Sequence, residues 1–245
     1  MPRIFRNPNV PLAYEFLSGR GPVVVFCSGY ASDMGGTKAL ALEEACQARG
    51  QAMLRFDYSG HGQSGGDFLE GTIGSWTEDA AHIIREVLGT QPLIIIGSSM
   101  GGWIALLLAL RLRNPVAGII LIAPAVDLTE TLLRPSLTPE QLAELREKGV
   151  LYEPSEYGAP LPWTLKLLEE GAHHQLLGRK IPLTCPVHVL HGMLDTAVPW
   201  KLSLRIAEAL ESEAVRLVFV KDGDHRLSRP EDLTLLMGSL EDLGG

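Results

Sequence analysis

The chain has 245 residues, 46% of them hydrophobic and 20% charged, the composition of an ordinary soluble globular protein with one large core. A net charge of −8 speaks against phosphate binding by clustered Lys and Arg, hence against a nucleic-acid partner, and lends nothing to an anionic membrane surface. Cys27, Cys46 and Cys185 form no CxxC and no even set, which suits a reducing compartment without disulfides or zinc.

The N-terminal segment MPRIFRNPNVPLAYEF has no apolar run long enough for a signal peptide, and the longest apolar stretch, Trp103 to Leu110, is short of a bilayer span. The expectation is a cytoplasmic protein with no integral membrane association. LAYEF at 12–16 alternates apolar and polar residues, as an antiparallel edge strand does. PVVVFC at 22–27, AMLRF at 52–56 and PLIIIG at 92–97 do not alternate. Nor do VAGIILIA at 116–123, PVHVLHG at 186–192 and RLVFV at 216–220. Such runs are expected of strands buried on both faces. Helical patterns lie between them: TKALALEEACQAR, WTEDAAHIIREVL, WIALLLALRLR and KLSLRIAEALE. The alternation predicts an α/β fold around a mostly parallel central sheet flanked by helices.

Residues 125–183 break this rhythm, with several prolines, no evident strand and short helical patterns around 129–134, 138–148 and 162–170. That is too long for a plain connection. The expectation is a core of residues 1–124 and 184–245 carrying a helical cap at 125–183 over the carboxyl end of the sheet, where ligands of open α/β sheets bind. Leu132, Leu133, Leu137, Leu161, Trp163, Leu167 and Leu168 would line an apolar acyl pocket there, or simply pack the cap down.

GSSMG, from Gly97 to Gly101, matches GxSxG. The match alone is weak, because GQSGG, from Gly62 to Gly66, is a second one. Context separates them. Ser99 follows a buried strand and opens a helix, the setting of a nucleophile elbow, whereas Ser64 sits in a Gly-rich loop and reads as an ordinary loop serine. GHGQSG, from Gly60 to Gly65, also matches the dinucleotide fingerprint GxGxxG. It opens no helix and lacks the later acid, which counts against a dehydrogenase.

An activated serine needs a base and an orienting acid, in the chain order Ser, Asp or Glu, His. Among seven histidines only His225 lies beyond the last strand, in KDGDHRLSRPEDL. His188 and His191 fall in or at the end of a strand, His82 in a helix, and all three read as surface or structural. His173 and His174 lack the i, i+4 spacing of helix-borne metal ligands and read as structural or substrate-side. Asp195, in HGMLDTAVP, leaves the strand VHVLHG and is the favoured acid; Asp127, after the strand ending at Ala123, is its rival. Asp222 and Asp224 read as solvated. The oxyanion hole would be the backbone N–H groups of Met100, after the nucleophile, and Tyr30, in the loop CSGY. Such a mechanism passes through an acyl-enzyme and needs no metal or organic cofactor.

The segments SGYASDMGGTKALALEE, RFDYSGHGQS, GSSMGGW, EGAHHQLL, LHGMLDTAVPW and DHR span most of the chain. On them it resembles the α/β-hydrolase-domain serine hydrolases, and within these the branch of palmitoyl-protein thioesterases and mycophenolic acid acyl-glucuronide esterases. The resemblance implies Ser99, Asp195 and His225 as catalytic residues, with fatty-acyl thioesters of protein cysteines and acyl glucuronides as substrates. A general carboxylesterase or lipase is the alternative reading, and a non-enzymatic binding module of the same fold a remoter one.

Overall fold

The computed structural model describes residues 2–7, 10–155 and 158–244. Residues 1, 8–9 and 245, within the expected core, and residues 156–157, inside the expected cap, lie outside them. In chain order the strands are β1 (Arg3–Asn7), β2 (Val10–Leu17), β3 (Arg20–Cys27), β4 (Gln51–Phe56) and β5 (Leu93–Ser98). There follow β6 (Val116–Ile122), β7 (Val150–Ser155), β8 (Gly158–Thr164), β9 (Val187–Gly192) and β10 (Val215–Val220). Among the described residues the main sheet has eight strands in the order β1-β2-β4-β3-β5-β6-β9-β10, parallel from β4 to β10.

The unbroken apolar runs have a direct physical reason: both faces of the sheet are covered. Val23, Val25, Ile95, Leu121 and Val189 point to one side, packing with α2 (Ile73–Leu88), α3 (Met100–Arg111) and α7 (Lys201–Ala209). Their neighbours Val24, Phe26, Ile94, Ile96, Ile120 and Leu190 point to the other, against α1 (Thr37–Arg49) and α8 (Pro230–Gly244). No described helix is long and apolar enough to cross a membrane. α2 begins one turn earlier than its apolar pattern suggests. The Thr72 hydroxyl accepts from the Ser75 N–H, and the Ser75 hydroxyl accepts from the Thr72 N–H, so the helix is capped before Trp76.

LAYEF does pair antiparallel, with β4, but it is not at the edge. β1 lies outside it, also antiparallel, and Arg6 of β1 reaches the buried Asp79 of α2 at 2.8 Å. That ion pair, invisible in sequence order, is what helps hold RIFRN against the sheet.

The segment between β6 and β9 begins with a π-helical turn (Thr129–Leu133) running into the short α4 (Arg134–Ser136). α5 (Pro139–Lys148) is bounded by a Thr138/Gln141 capping box and by Gly149 at φ +75°. β7 and β8 then form an antiparallel hairpin, with Leu151 opposite Trp163, where no strand is expected from the sequence. Pro154, Pro160 and Pro162 conceal it: a two-stranded ribbon has outward N–H positions at which proline removes no ladder bond. The helical pattern read from 162 therefore starts only at α6 (Leu165–Gly171), where the Thr164 hydroxyl accepts from the Leu167 N–H at 3.0 Å.

Candidate active site

Ser99 sits between β5 and α3 at φ 54° and ψ −121°, a conformation a serine adopts only when its surroundings impose it. Three backbone bonds do so. Ser99 N–H donates to Ile122 O at 2.9 Å, and Ser99 O accepts from Gly102 and Ala125 at 2.9 and 3.0 Å. The glycines of the motif follow from close approach. A Cβ on Gly97 would lie 2.2 Å from Gly101 O, and one on Gly101 would lie 2.1 Å from Cys27 O. No side chain fits either position.

His225 lies in the loop joining β10 to α8. Its Nε2 is 3.1 Å from Ser99 Oγ and its Nδ1 2.7 Å from Asp195 Oδ2. The Asp195 side chain is fully buried, and that of His225 is 19% exposed, which leaves the ring reachable from outside. Asp195 Oδ1 accepts the N–H groups of Ala197 and Val198 at 2.9 and 2.7 Å, and Oδ2 meets His191 Nε2 at 3.0 Å. Burial alone would raise this carboxyl, but the bonds from His191, His225 and Val198 outweigh it and hold Asp195 well below the usual carboxylate range. The two loops are pressed together, with Leu194 N–H bonded to Gly223 O at 2.9 Å. From α1, Lys38 Nζ donates to Arg226 O at 2.5 Å and to Ser228 Oγ at 3.3 Å, pinning the histidine loop from its far side.

The loop leaving β3 brings Tyr30 beside Ser99, since a Cβ on Gly29 would touch Ser99 Cβ at 3.4 Å. The Tyr30 ring stacks on Trp163 of β8, centroids 4.4 Å apart and 10° from parallel, and its hydroxyl donates to Pro162 O. Met100 is the first residue of α3, so its N–H has no earlier helical carbonyl to bind and points out of a positive helix end.

The rival residues are occupied elsewhere. Ser64 donates to Asp57 O and accepts from Ala13 N–H, at 2.7 and 2.8 Å. Its Gly-rich loop leads into a single 3-10 turn at Phe68–Glu70 rather than a long helix. Asp127 accepts the N–H groups of Leu176 and Leu177, both at 2.8 Å, and so anchors the segment returning to β9. His174 is a tether: Nε2 meets Glu170 at 2.5 Å, Nδ1 meets Arg111 at 2.8 Å, and its carbonyl accepts from the Trp103 indole at 3.1 Å. Asp222 pairs with Arg229 at 2.8 Å, whereas Asp224 caps its own loop by accepting from Arg226 and Leu227. His191 is the contact that a strand-by-strand reading overlooks. Its signal is the i, i+4 spacing to Asp195 across a strand end.

The family described as serine aminopeptidase, S33, matches residues 20–151. The palmitoyl-protein thioesterase ABHD10, mitochondrial, of Homo sapiens is 40% identical over 240 residues, 97% of this chain and 78% of that protein. The solved structure of mouse alpha/beta hydrolase domain-containing protein 10 superposes with a TM-score of 0.90 at 39% identity, covering 99% of this chain and 97% of that one. A structure from Agrobacterium vitis S4 gives 0.94 at 38% identity over 99% and 97% of the two chains. A monoacylglycerol lipase of Mycolicibacterium smegmatis is more distant, 26% identical over 80% of this chain and 78% of its own. The chain belongs to this family of α/β hydrolases, with the ABHD10 proteins among its relatives.

Proposed function

We propose that the protein is a serine hydrolase of acyl thioesters and activated esters, with Ser99 as nucleophile, His225 as general base and Asp195 as its orienting acid. The observation that carries this reading is the single imidazole spanning 3.1 Å to Ser99 Oγ and 2.7 Å to Asp195 Oδ2. His225 Nε2 takes the Ser99 proton as Oγ attacks the acyl carbon, and the resulting oxyanion accepts from the Met100 and Tyr30 N–H groups. Collapse expels the leaving group, to which His225 returns the proton. His225 then deprotonates a water that attacks the acyl-enzyme, releasing the acid and freeing Ser99. Every proton in the cycle is accounted for by these side chains and water.

Leaving-group chemistry narrows the substrate. A cysteine thiol has an ordinary pKa of about 8.5, so its thiolate departs with little help. An acyl glucuronide leaves through an activated anomeric oxygen. An amide nitrogen must be protonated in the transition state, a demand that a thiolate or an anomeric oxygen does not make. The names of the ABHD10 relatives favour palmitoyl-protein thioesters as the first substrates to try. A carboxylesterase or lipase with the same residues is the second reading, favoured by the likeness to a monoacylglycerol lipase.

Within this reading residues 125–183 act as a cap whose apolar side chains bound the acyl chain. The stack of Trp163 on Tyr30 supports that role, while Trp163 joins Leu133, Leu167 and Leu168 in the main core, where they pack the cap down. The substrate is a small molecule or an acylated protein. The free thiols of Cys27, Cys46 and Cys185 suit a reducing compartment such as the cytoplasm. The test is one acyl chain on three leaving groups, thiol, activated alcohol and amine. The expected kcat/KM for the first two exceeds that for the amide by several orders of magnitude; comparable amide turnover refutes the thioesterase reading in favour of an amidase, and no turnover of any refutes catalysis.

A further inference from the structure

His191 closes β9 with a side chain that is fully buried, as is the Asp195 carboxylate it faces. Its Nε2 lies 3.0 Å from Asp195 Oδ2 and 3.0 Å from Val198 O, and both of these can only accept. The ring must therefore carry its proton on Nε2. Its Nδ1, 2.7 Å from Ser203 Oγ, is then the acceptor of the Ser203 hydroxyl. Ser203 is itself buried on α7, and its hydroxyl, able to donate or accept, follows the tautomer that Asp195 and Val198 O impose.

We infer that His191 is a positioning residue for the reaction, holding Asp195 in the one rotamer that orients His225 and sharing its negative charge. The inference rests on the proposed triad. Asp195 receives N–H groups from Ala197 and Val198 on Oδ1 and from two imidazoles on Oδ2, His191 from β9 and His225 from the β10–α8 loop. Four donors match the four lone-pair directions of a carboxylate, so it has no freedom to turn. Those two histidines are the titratable side chains bonded to it. Without the His191 N–H, the charge on Oδ2 would bear on His225 alone and make that imidazole more basic. The carboxylate could also swing, leaving the base disordered.

His191→Phe keeps the ring shape and removes the donor, whereas His191→Gln keeps an N–H donor at a similar reach. The expected result is a fall in kcat of about 10- to 100-fold in the Phe variant, the weight of one hydrogen bond to a charged group, with KM near the wild-type value. The acid limb of its kcat/KM profile should move to higher pH, and Gln should restore most of both. A folded Phe variant with unchanged kcat and pH profile overturns the inference, and so does an equal loss in the Gln variant, which would mean packing alone. In the wild-type protein, nitrogen-15 NMR should find His191 with its proton on Nε2; a proton on Nδ1 alone overturns the inference even if neither variant folds. Asp195→Asn separates the two levels. Its collapse beside an unaffected His191→Phe refutes this role only, whereas full activity in Asp195→Asn refutes the triad beneath it.

Discussion

Two serines and two aspartates compete for the same roles, and the surroundings of each side chain differ. Ser99 Oγ faces an imidazole, but Ser64 Oγ is tied between two backbone groups. A fluorophosphonate should therefore label Ser99 and leave Ser64 unmodified, as mass spectrometry of the labelled peptide reads directly. Ser99→Ala should lower kcat on the order of 10³-fold or more, as nucleophile knockouts of triads do. The aspartates divide in the same way. Asp195→Asn should cost on the order of 10⁴-fold in kcat, because the amide favours the wrong histidine tautomer. Asp127→Asn should instead lower the denaturation midpoint by the equivalent of about 1–3 kcal/mol while keeping most of the activity, since only the bonds to Leu176 and Leu177 suffer. Equal losses of activity in the two would mean that the acid comes from the other loop.

Between elements, the contacts that matter join the segment after β6 to the rest of the molecule. Glu170 of α6 accepts from the Gly74 N–H at 3.1 Å, placing a carboxylate on the positive end of α2, and His174 holds the same carboxylate and Arg111 of α3. At the other end Tyr30 and Trp163 join the loop after β3 to the hairpin. Glu170→Ala should loosen this segment without disturbing the elbow. The expected outcome is unchanged fluorophosphonate labelling together with weakened discrimination between short and long acyl chains. Unchanged discrimination would leave the segment a packing role only.

At the scale of the whole molecule, stability depends on pH through buried groups other than Ser99, Asp195 and His225. His61 is buried among Tyr58, Phe68 and Trp76, and its Nε2 has no hydrogen-bond partner among the described residues. Burial pushes its imidazole down to about 4, against an ordinary value near 6.5, the bond to Ser59 opposing only partly. Between those two values the unfolded chain binds the proton and the folded chain does not, so stability falls as pH falls through that window. From pH 7 to pH 5 the loss from this group is about 2 kcal/mol. Asp57, Asp79 and Asp127 act with the opposite sign, because burial raises their carboxyls and the folded state holds the proton longer. Urea unfolding of wild type and His61→Phe at both pH values isolates the histidine part. A wild-type loss no greater than that of the variant would show that His61 takes up its proton in the fold.

Local patterns were enough to read the alternating strands and helices, the parallel sheet and the strand–turn–helix setting of Ser99, since burial on both faces and close approach at an elbow leave marks on consecutive residues. That Ser99, Asp195 and His225 each follow a strand could be read as well, because those strands are recognisable apolar runs. What the tertiary structure alone decided are contacts between distant residues. β1 covers the strand expected at the edge, with an arginine reaching a buried aspartate on another element. The prolines of 150–164 read as strand breakers, yet among the described residues their hairpin pairs only with itself and tolerates them. His191 reads as a surface or structural residue at a strand end, and only the turn after β9 brings Asp195 back to its ring. Periodicity reports which face of an element is buried; it carries no record of which polar atom waits on the other side.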